Sequence, residues 1–179
     1  MKKTASIQEY VQQYQLADHL NADLMRCLKL YRLDVDRNID LDDPALARLY
    51  FLVEGSLAVS YDHLDGTHSA IGTLNPLALI GELDLFVEPT LRLSISASEP
   101  STFLYIESAF ALRFGANDPR FLRLVIQHLS EKLIRSTLIL RHNVLPISGQ
   151  VAALLLTQSA PDQNRVRIQS KNYLAELVG

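Results

Sequence analysis

From Leu122 to Asn143, the residues Leu122, Ile126, Leu129, Leu133, Ser136, Leu140 and Asn143 recur at spacings of 4, 3, 4, 3, 4 and 3. A repeat averaging 3.5 residues is the seam of a coiled coil, because it keeps one stripe turned to a partner along the whole helix. Asn117-Asp118-Pro119 supplies a cap and a first-turn proline, so one long helix is expected over 117–144. Phe121, Val125, Ile134 and Leu138 add a second apolar stripe. Two stripes need two partners, one the chain's own domain and the other a second subunit. A homodimer joined along Leu122, Ile126, Leu129, Leu133 and Leu140 is the expectation.

What precedes this helix reads differently. Leu49-Tyr50-Phe51-Leu52-Val53 is a continuous apolar run ended by Glu54-Gly55, and Ser56 to Tyr61 then alternates with period two. Asp65-Gly66 is a hairpin turn, and Ser69 to Leu74 returns from it. Leu91 to Ala97 alternates again, and Thr102 to Ile106 is a last apolar strand. Many short strands at this spacing predict a small antiparallel barrel or jelly roll over 31–116. Ahead of it, Ile7, Tyr10, Val11 and Tyr14, then Leu20, Leu24, Cys27 and Leu28, carry helical periodicity, with Asp18 or Asn21 as candidate cap of the second helix. The fold class is therefore α+β, with N-terminal helices in 1–30 and the barrel flanked by helices.

Beyond the long helix, Leu145-Pro146 is a break, and Ile147 to Gln158 forms a further helix with Val151, Leu154 and Leu155 on one face. A loop at 159–164 leads to Arg165-Val166-Arg167-Ile168, which alternates like a short strand. Tyr173-Leu174-Ala175-Glu176-Leu177-Val178-Gly179 reads as a helix stopped by glycine. That is the first helix of a helix-turn-helix, whose second helix would enter the DNA major groove. On this reading 145–179 is the truncated start of a winged DNA-binding domain, and the chain as given should bind operator DNA weakly and without sequence preference.

Composition narrows the function classes. The net charge is −3, so the chain has no general electrostatic footprint for nucleic acid, although Arg165, Arg167 and Lys171 gather near the C-terminus. A solvated face explains those three on charge alone; as DNA-proximal residues they would supply phosphate contacts. One cysteine, Cys27, rules out an intramolecular disulfide and a cysteine-ligated iron–sulfur cluster within the chain. Cys27 shares an apolar face with Leu24 and Leu28, which is the pattern of packing. No apolar run approaches the length of a membrane span, and the segment after Met1-Lys2-Lys3-Thr4 is too polar for a signal peptide. The cytoplasm is the expected compartment.

Three segments in order resemble the Crp/Fnr family of bacterial transcription regulators. Leu49 to Val59 is similar to that family's strand–glycine–strand signature, Ile80-Gly81-Glu82-Leu83-Asp84-Leu85-Phe86 to the start of its phosphate-binding cassette, and Tyr173 to Gly179 to its first helix-turn-helix helix. The resemblance spans about Tyr31 to Gly179. It implies a sensor barrel, a dimerisation helix and a DNA-binding domain, with operator DNA and RNA polymerase as partners. In cyclic-nucleotide-binding members the cassette glutamate bonds the ribose, an arginine followed by serine grips the phosphate, and hydroxyls midway along the long helix touch the purine. Carried to this chain, those roles fall on Gly81, Glu82, Arg92, Ser94, Ser136 and Thr137. Leu93 stands where serine is expected, with Ser94 one place late, and Leu77 and Ala78 replace the glycine and aspartate that usually precede the cassette. These departures favour a retained scaffold with a different or absent effector over a bound cyclic nucleotide. Ser136-Thr137 also reads as a register-setting polar pair within the seam.

Other chemistry finds little purchase. His63 and His68 flank the hairpin turn but lack a third metal ligand, and no axial histidine for haem stands out. Clustered histidines of a cupin-type metalloenzyme are missing, and no nucleophile–base pair can be assembled, so no enzyme is expected. The leading expectation is a DNA-binding regulator that senses a signal through its barrel. The alternative is a stand-alone ligand-binding module that acts on a protein partner without binding DNA.

Overall fold

The computed structural model of the protein describes residues 5–39, 47–62, 68–87 and 93–142. The chain opens with helix α1 (Ile7–Gln13), a single 3-10 turn (Leu16–Asp18) and helix α2 (Ala22–Cys27). Strands β1 (Lys29–Leu33), β2 (Asn38–Ile39), β3 (Arg48–Glu54), β4 (Leu57–Asp62), β5 (His68–Leu74), β6 (Ala78–Ile80), β7 (Leu93–Ala97) and β8 (Ser101–Glu107) follow, then helices α3 (Ser108–Gly115) and α4 (Pro119–His142).

The strands form two four-stranded sheets, ordered β1-β8-β3-β6 and β2-β7-β4-β5, with antiparallel pairing throughout. The α+β class is as read from the sequence, but the sheets are open and do not close into a barrel. A core of Leu33, Tyr50, Leu52, Ile80 and Phe103 from the first sheet meets Ile39, Leu57, Val59, Ile95 and Ala97 from the second. The opposite face of the first sheet is covered as well. There Leu49, Phe51, Val53, Leu79, Leu104 and Ile106 pack with Tyr10, Leu16, Leu20, Leu24, Phe121, Leu124 and Val125 of the helical segments. This explains why β3 is an unbroken apolar run, since both of its faces are buried from Leu49 to Val53. The register slips between Leu52 and Glu54, and Gly55 then turns the chain at φ +93°. A Cβ there would stand 2.3 Å from Ser101 Oγ, so only glycine fits the turn.

Local signals set the helix ends. Ser6 and Glu9 form a capping box at α1. Of the two candidate caps for α2, Asn21 is the one used: its Oδ1 accepts from the N–H groups of Asp23 and Leu24. Its Nδ2 donates to Phe114 O at 2.8 Å and to Asp118 Oδ2 at 3.0 Å, tying α2 to the end of α3 and the start of α4. Asp118 Oδ1 accepts the Arg120 N–H at 3.0 Å, as a cap should. That bond, the Arg120 guanidinium and Asn21 hold the Asp118 carboxyl below its ordinary range. Cys27 is partly buried and packs on the helical core.

Helix α3 is an element that the strand pattern did not anticipate, and β1 begins two residues before the expected barrel boundary of 31. The turn Asp65-Gly66, the histidine at 63 and everything expected over 143–179, including Arg165, Arg167 and Lys171, lie outside the described residues.

Phe121 is fully buried at the point where α4 enters the helical core. Phe121→Ala should destabilise the domain by about 3–5 kcal/mol, measured by urea unfolding. A loss below about 1 kcal/mol would mean that α4 does not belong to the core.

Candidate functional site

Strand β6 is buried at each of its three residues, and it pairs with β3 through Tyr50–Ile80, Phe51–Leu79 and Leu52–Ala78. The chain then leaves the sheet edge at Gly81, whose φ is +85°. A Cβ at Gly81 would lie 2.4 Å from Arg48 O, so the close approach of the two backbones requires glycine there. One tight turn follows, with the N–H groups of Phe86 and Val87 donating to Leu83 O at 3.1 and 3.2 Å. Leu85 anchors this turn in the helical core, whereas Leu83, Phe86 and Val87 are exposed.

Glu82 is 1% exposed, one of the few polar side chains buried among the described residues. Its partner comes from 50 residues further along the chain. Lys132 Nζ on α4 donates to Glu82 Oε1 at 2.5 Å and to Leu79 O at 2.7 Å. A buried carboxylate without a cation is costly, and removing one member of a buried pair costs about 3–5 kcal/mol. The Lys132 side chain keeps a third of its surface in water, which places this pair toward the lower end of that range.

The spacing on α4 explains how the lysine arrives. Phe121, Val125, His128 and Lys132 follow at intervals of 4, 3 and 4 and so share one face. Phe121 and Val125 are buried and His128 is half-buried, so Lys132 extends a core-facing stripe to the cassette. The sequence reading did not single out Lys132. The available signal was a cation continuing a buried stripe, opposite a motif whose glutamate is buried.

The other expected site residues are placed as follows. Gly81 and Glu82 sit together at the cassette. Ser136 and Thr137 are exposed on α4, and their hydroxyls donate to the backbone carbonyls of Lys132 and Leu133, each at 2.9 Å. Ser136 is thus one turn beyond the lysine that reaches Glu82. Ser94 lies on β7 in the other sheet, opposite Ser60 and within 3.5 Å of Asn38 Nδ2. Arg92 lies outside the described residues. Among the described residues no group of three His, Cys, Asp or Glu side chains could hold a metal ion, and no described helix is long and apolar enough to cross a membrane.

On the expected seam of α4, Leu122 and Leu129 lean onto the helical core, whereas Ile126 and Leu133 are 62% and 68% exposed. Of the second stripe, Phe121 and Val125 are buried and Ile134 is 61% exposed. The side chain of Leu140 lies outside the described residues.

Residues 41–118 match the cyclic nucleotide-binding domain family. No curated protein matches the sequence significantly. Among solved structures, the chain is similar to the c-di-GMP-responsive global regulator CLP of Xanthomonas campestris, with a TM-score of 0.72 and 20% identity over 87% of this chain and 82% of that one. A cyclic nucleotide-binding domain-containing protein from Listeria monocytogenes gives a TM-score of 0.70 and 18% identity, covering 95% of this chain and 84% of that one. A candidate transcriptional regulator of the crp/fnr family from Eubacterium rectale gives 0.67 and 12%, covering 79% and 69%. At these identities the likeness is one of fold.

His128 responds to its position between the core and the cassette. Burial pushes its pKa below the ordinary 6.5, Lys132 and His19 add to that, and Glu131 and Glu82 oppose it. The unfolded chain therefore binds a proton near pH 6.5 that the folded chain refuses until the pH is lower. Stability held above pH 6.5 should be lost as the pH falls through that value toward the folded pKa. Urea unfolding of the native chain and His128→Gln at about pH 7.5 and about pH 5.5 tests this. The native midpoint should fall more on acidification than that of the variant, and equal falls would refute it.

Proposed function

Because the chain carries a cyclic nucleotide-binding domain on the fold of the Crp/Fnr regulators, we propose that it is a homodimeric transcription regulator. Its two-sheet domain, residues 31–116, senses a signal. Helix α4 joins the subunits and relays the signal to a DNA-binding segment over 145–179. The protein acts in the cytoplasm, without catalysis, on operator DNA and together with RNA polymerase.

The observation that carries this reading is the course of α4. At its start the helix belongs to the core through Phe121, Leu124 and Val125. Its 24 residues extend about 36 Å at the usual rise. Ile126 and Leu133, seven residues apart, and Ile134 beside them then face water. Removing each such side chain from water is worth about 1.5–3 kcal/mol, so a second copy set on the same seam gains a substantial interface. An isologous dimer also explains how one domain's signal reaches a two-fold symmetric operator.

Gly81, Glu82, Arg92, Ser94, Ser136 and Thr137 are the candidate effector contacts. The effector is a small molecule, a cyclic nucleotide or another; Leu93 in the place of the phosphate-gripping serine weighs against a cyclic nucleotide. Arg165, Arg167 and Lys171 are candidate phosphate contacts near the DNA.

Light scattering at micromolar concentration should give twice the chain mass. Leu133→Glu, which sets like charges across the seam, should shift it to a monomer without altering the domain's thermal transition by more than a few degrees. A monomeric native protein would sink the dimer. Gel-shift titration of the full-length gene product at two salt concentrations tests the rest. Sequence-selective binding to a pseudo-palindrome with half-sites about one helical turn apart is expected. Failure on every DNA tried, with and without small-molecule effectors, would favour a module that acts on a protein partner.

A further inference from the structure

We propose that Arg48 and the tyrosines beside it form a second binding site, which takes the carboxylate of a small aromatic acid. The site stands apart from the cassette, and neither Glu82 nor any residue of α4 belongs to it.

The sequences of three neighbouring strands lay it out. On the face turned to the second sheet, β1 runs Leu33, Tyr31, Lys29, while β3 runs Leu52, Tyr50, Arg48 and β8 runs Phe103, Tyr105, Glu107. Lys29 lies opposite Tyr105, Tyr105 opposite Tyr50, and Glu107 opposite Arg48. Each strand therefore passes from an apolar residue through a tyrosine to a charged one, toward the same end of the sheet. The outcome is a collar of tyrosines at the limit of the core, with a charged rim beyond it. The Tyr50 ring is 6.1 Å from that of Tyr31 and 5.9 Å from that of Tyr105, centroid to centroid.

The charges of the rim do not balance. Lys29 Nζ donates to Glu107 Oε1 at 2.7 Å, so those two satisfy each other. Arg48 has no carboxylate partner among the described residues. Its Cζ stands 4.7 Å from the centroid of the Tyr105 ring, and its Nη1 donates to the Tyr50 hydroxyl at 3.5 Å, the long limit of a hydrogen bond. The guanidinium fork is thus nearly unspent. Tyr50 is only 3% exposed, and its hydroxyl accepts that one long bond, so its proton has no acceptor among the described residues. Burial pushes the Tyr50 hydroxyl above its ordinary pKa, with Arg48 opposing, so the group remains a donor at neutral pH.

A carboxylate meets both needs. Its oxygens accept from the guanidinium fork and from the Tyr50 hydroxyl, and its single charge matches the single unpaired cation. A phosphate dianion brings more charge and more oxygens than this rim can satisfy. Tyr31 and Tyr105, both partly buried, flank the position and offer ring surface to a flat apolar body.

Calorimetry and heteronuclear NMR of the native chain with benzoate, benzamide and inorganic phosphate test the proposal. Benzoate at millimolar concentration should bind saturably and shift the signals of Tyr50 and Tyr105. Benzamide, which has the same shape without the charge, should bind at least about tenfold more weakly, and phosphate likewise. Arg48→Gln should weaken benzoate binding by about tenfold or more, and Tyr50→Phe by about threefold. Glu107→Gln, which releases Lys29 to the rim, should tighten it by about threefold, a gain that a purely structural role for the cluster would not give. If Arg48→Gln fails to fold, the Tyr50 and Glu107 variants decide. Absence of saturable binding, benzamide or phosphate binding as tight as benzoate, shifts centred on Gly81 and Glu82, or indifference to the variants would each overturn the proposal. These readouts need neither DNA nor a dimer. A failed gel shift beside benzoate binding would reject the regulatory reading and keep the site, and the reverse pattern would do the opposite.

Discussion

The burial of one sheet on both faces governs the arrangement of everything else. Strand β3 turns Tyr50 and Leu52 toward the second sheet and Leu49, Phe51 and Val53 toward the helices, and none of the five is more than 3% exposed. A sheet that is apolar on both sides cannot stand alone, so the residues before and after the strands must fold over it. The N-terminal helices, α3 and the first turns of α4 are that cover. The long helix is consequently part of this domain's core before it becomes anything else, and any change in how it is seated is felt through Phe121 and Val125 by the strands below.

From this cover the helix runs to the cassette. The turn after β6 is fixed at one end by backbone approach at Gly81 and at the other by Leu85 in the helical core, and the buried carboxylate between them meets the lysine of α4. Sheet edge, cassette turn and helix thus form one connected unit in which packing supplies rigidity and a single ion pair supplies the join.

Much of this was legible in the sequence where a pattern was long enough to have a period. The Asp118-Pro119 start of α4 and the alternation of β4 and β7 were read correctly because several residues report the same geometry. The continuous run at Leu49–Val53 was read as a strand, although the reason for its continuity, cover on both faces, appears only in three dimensions. Strands β2 and β6, of two and three residues, are too short to carry a period. Helix α3 escaped notice because it follows β8 directly, with Glu107 as a cap residue whose side chain makes no capping bond, so none of the usual start signals announces it. At the site, Gly81 and Glu82 were found from a motif, but Lys132 was not. An ion pair between residues 50 apart leaves no local trace, and a lysine on a helix is by default a solvated one.

The side chain of Asn21 touches the ends of three helices, closing the start of α2 with its oxygen while its nitrogen holds the last turn of α3 and the cap of α4. Helix termini are ordinarily where a structure frays first, each on its own account. Here the three termini share one amide, so none can unravel without releasing the other two. The part of the cover made by α2, α3 and the start of α4 should therefore open as a single cooperative unit, giving a protease or an exchanging solvent a closed layer or none.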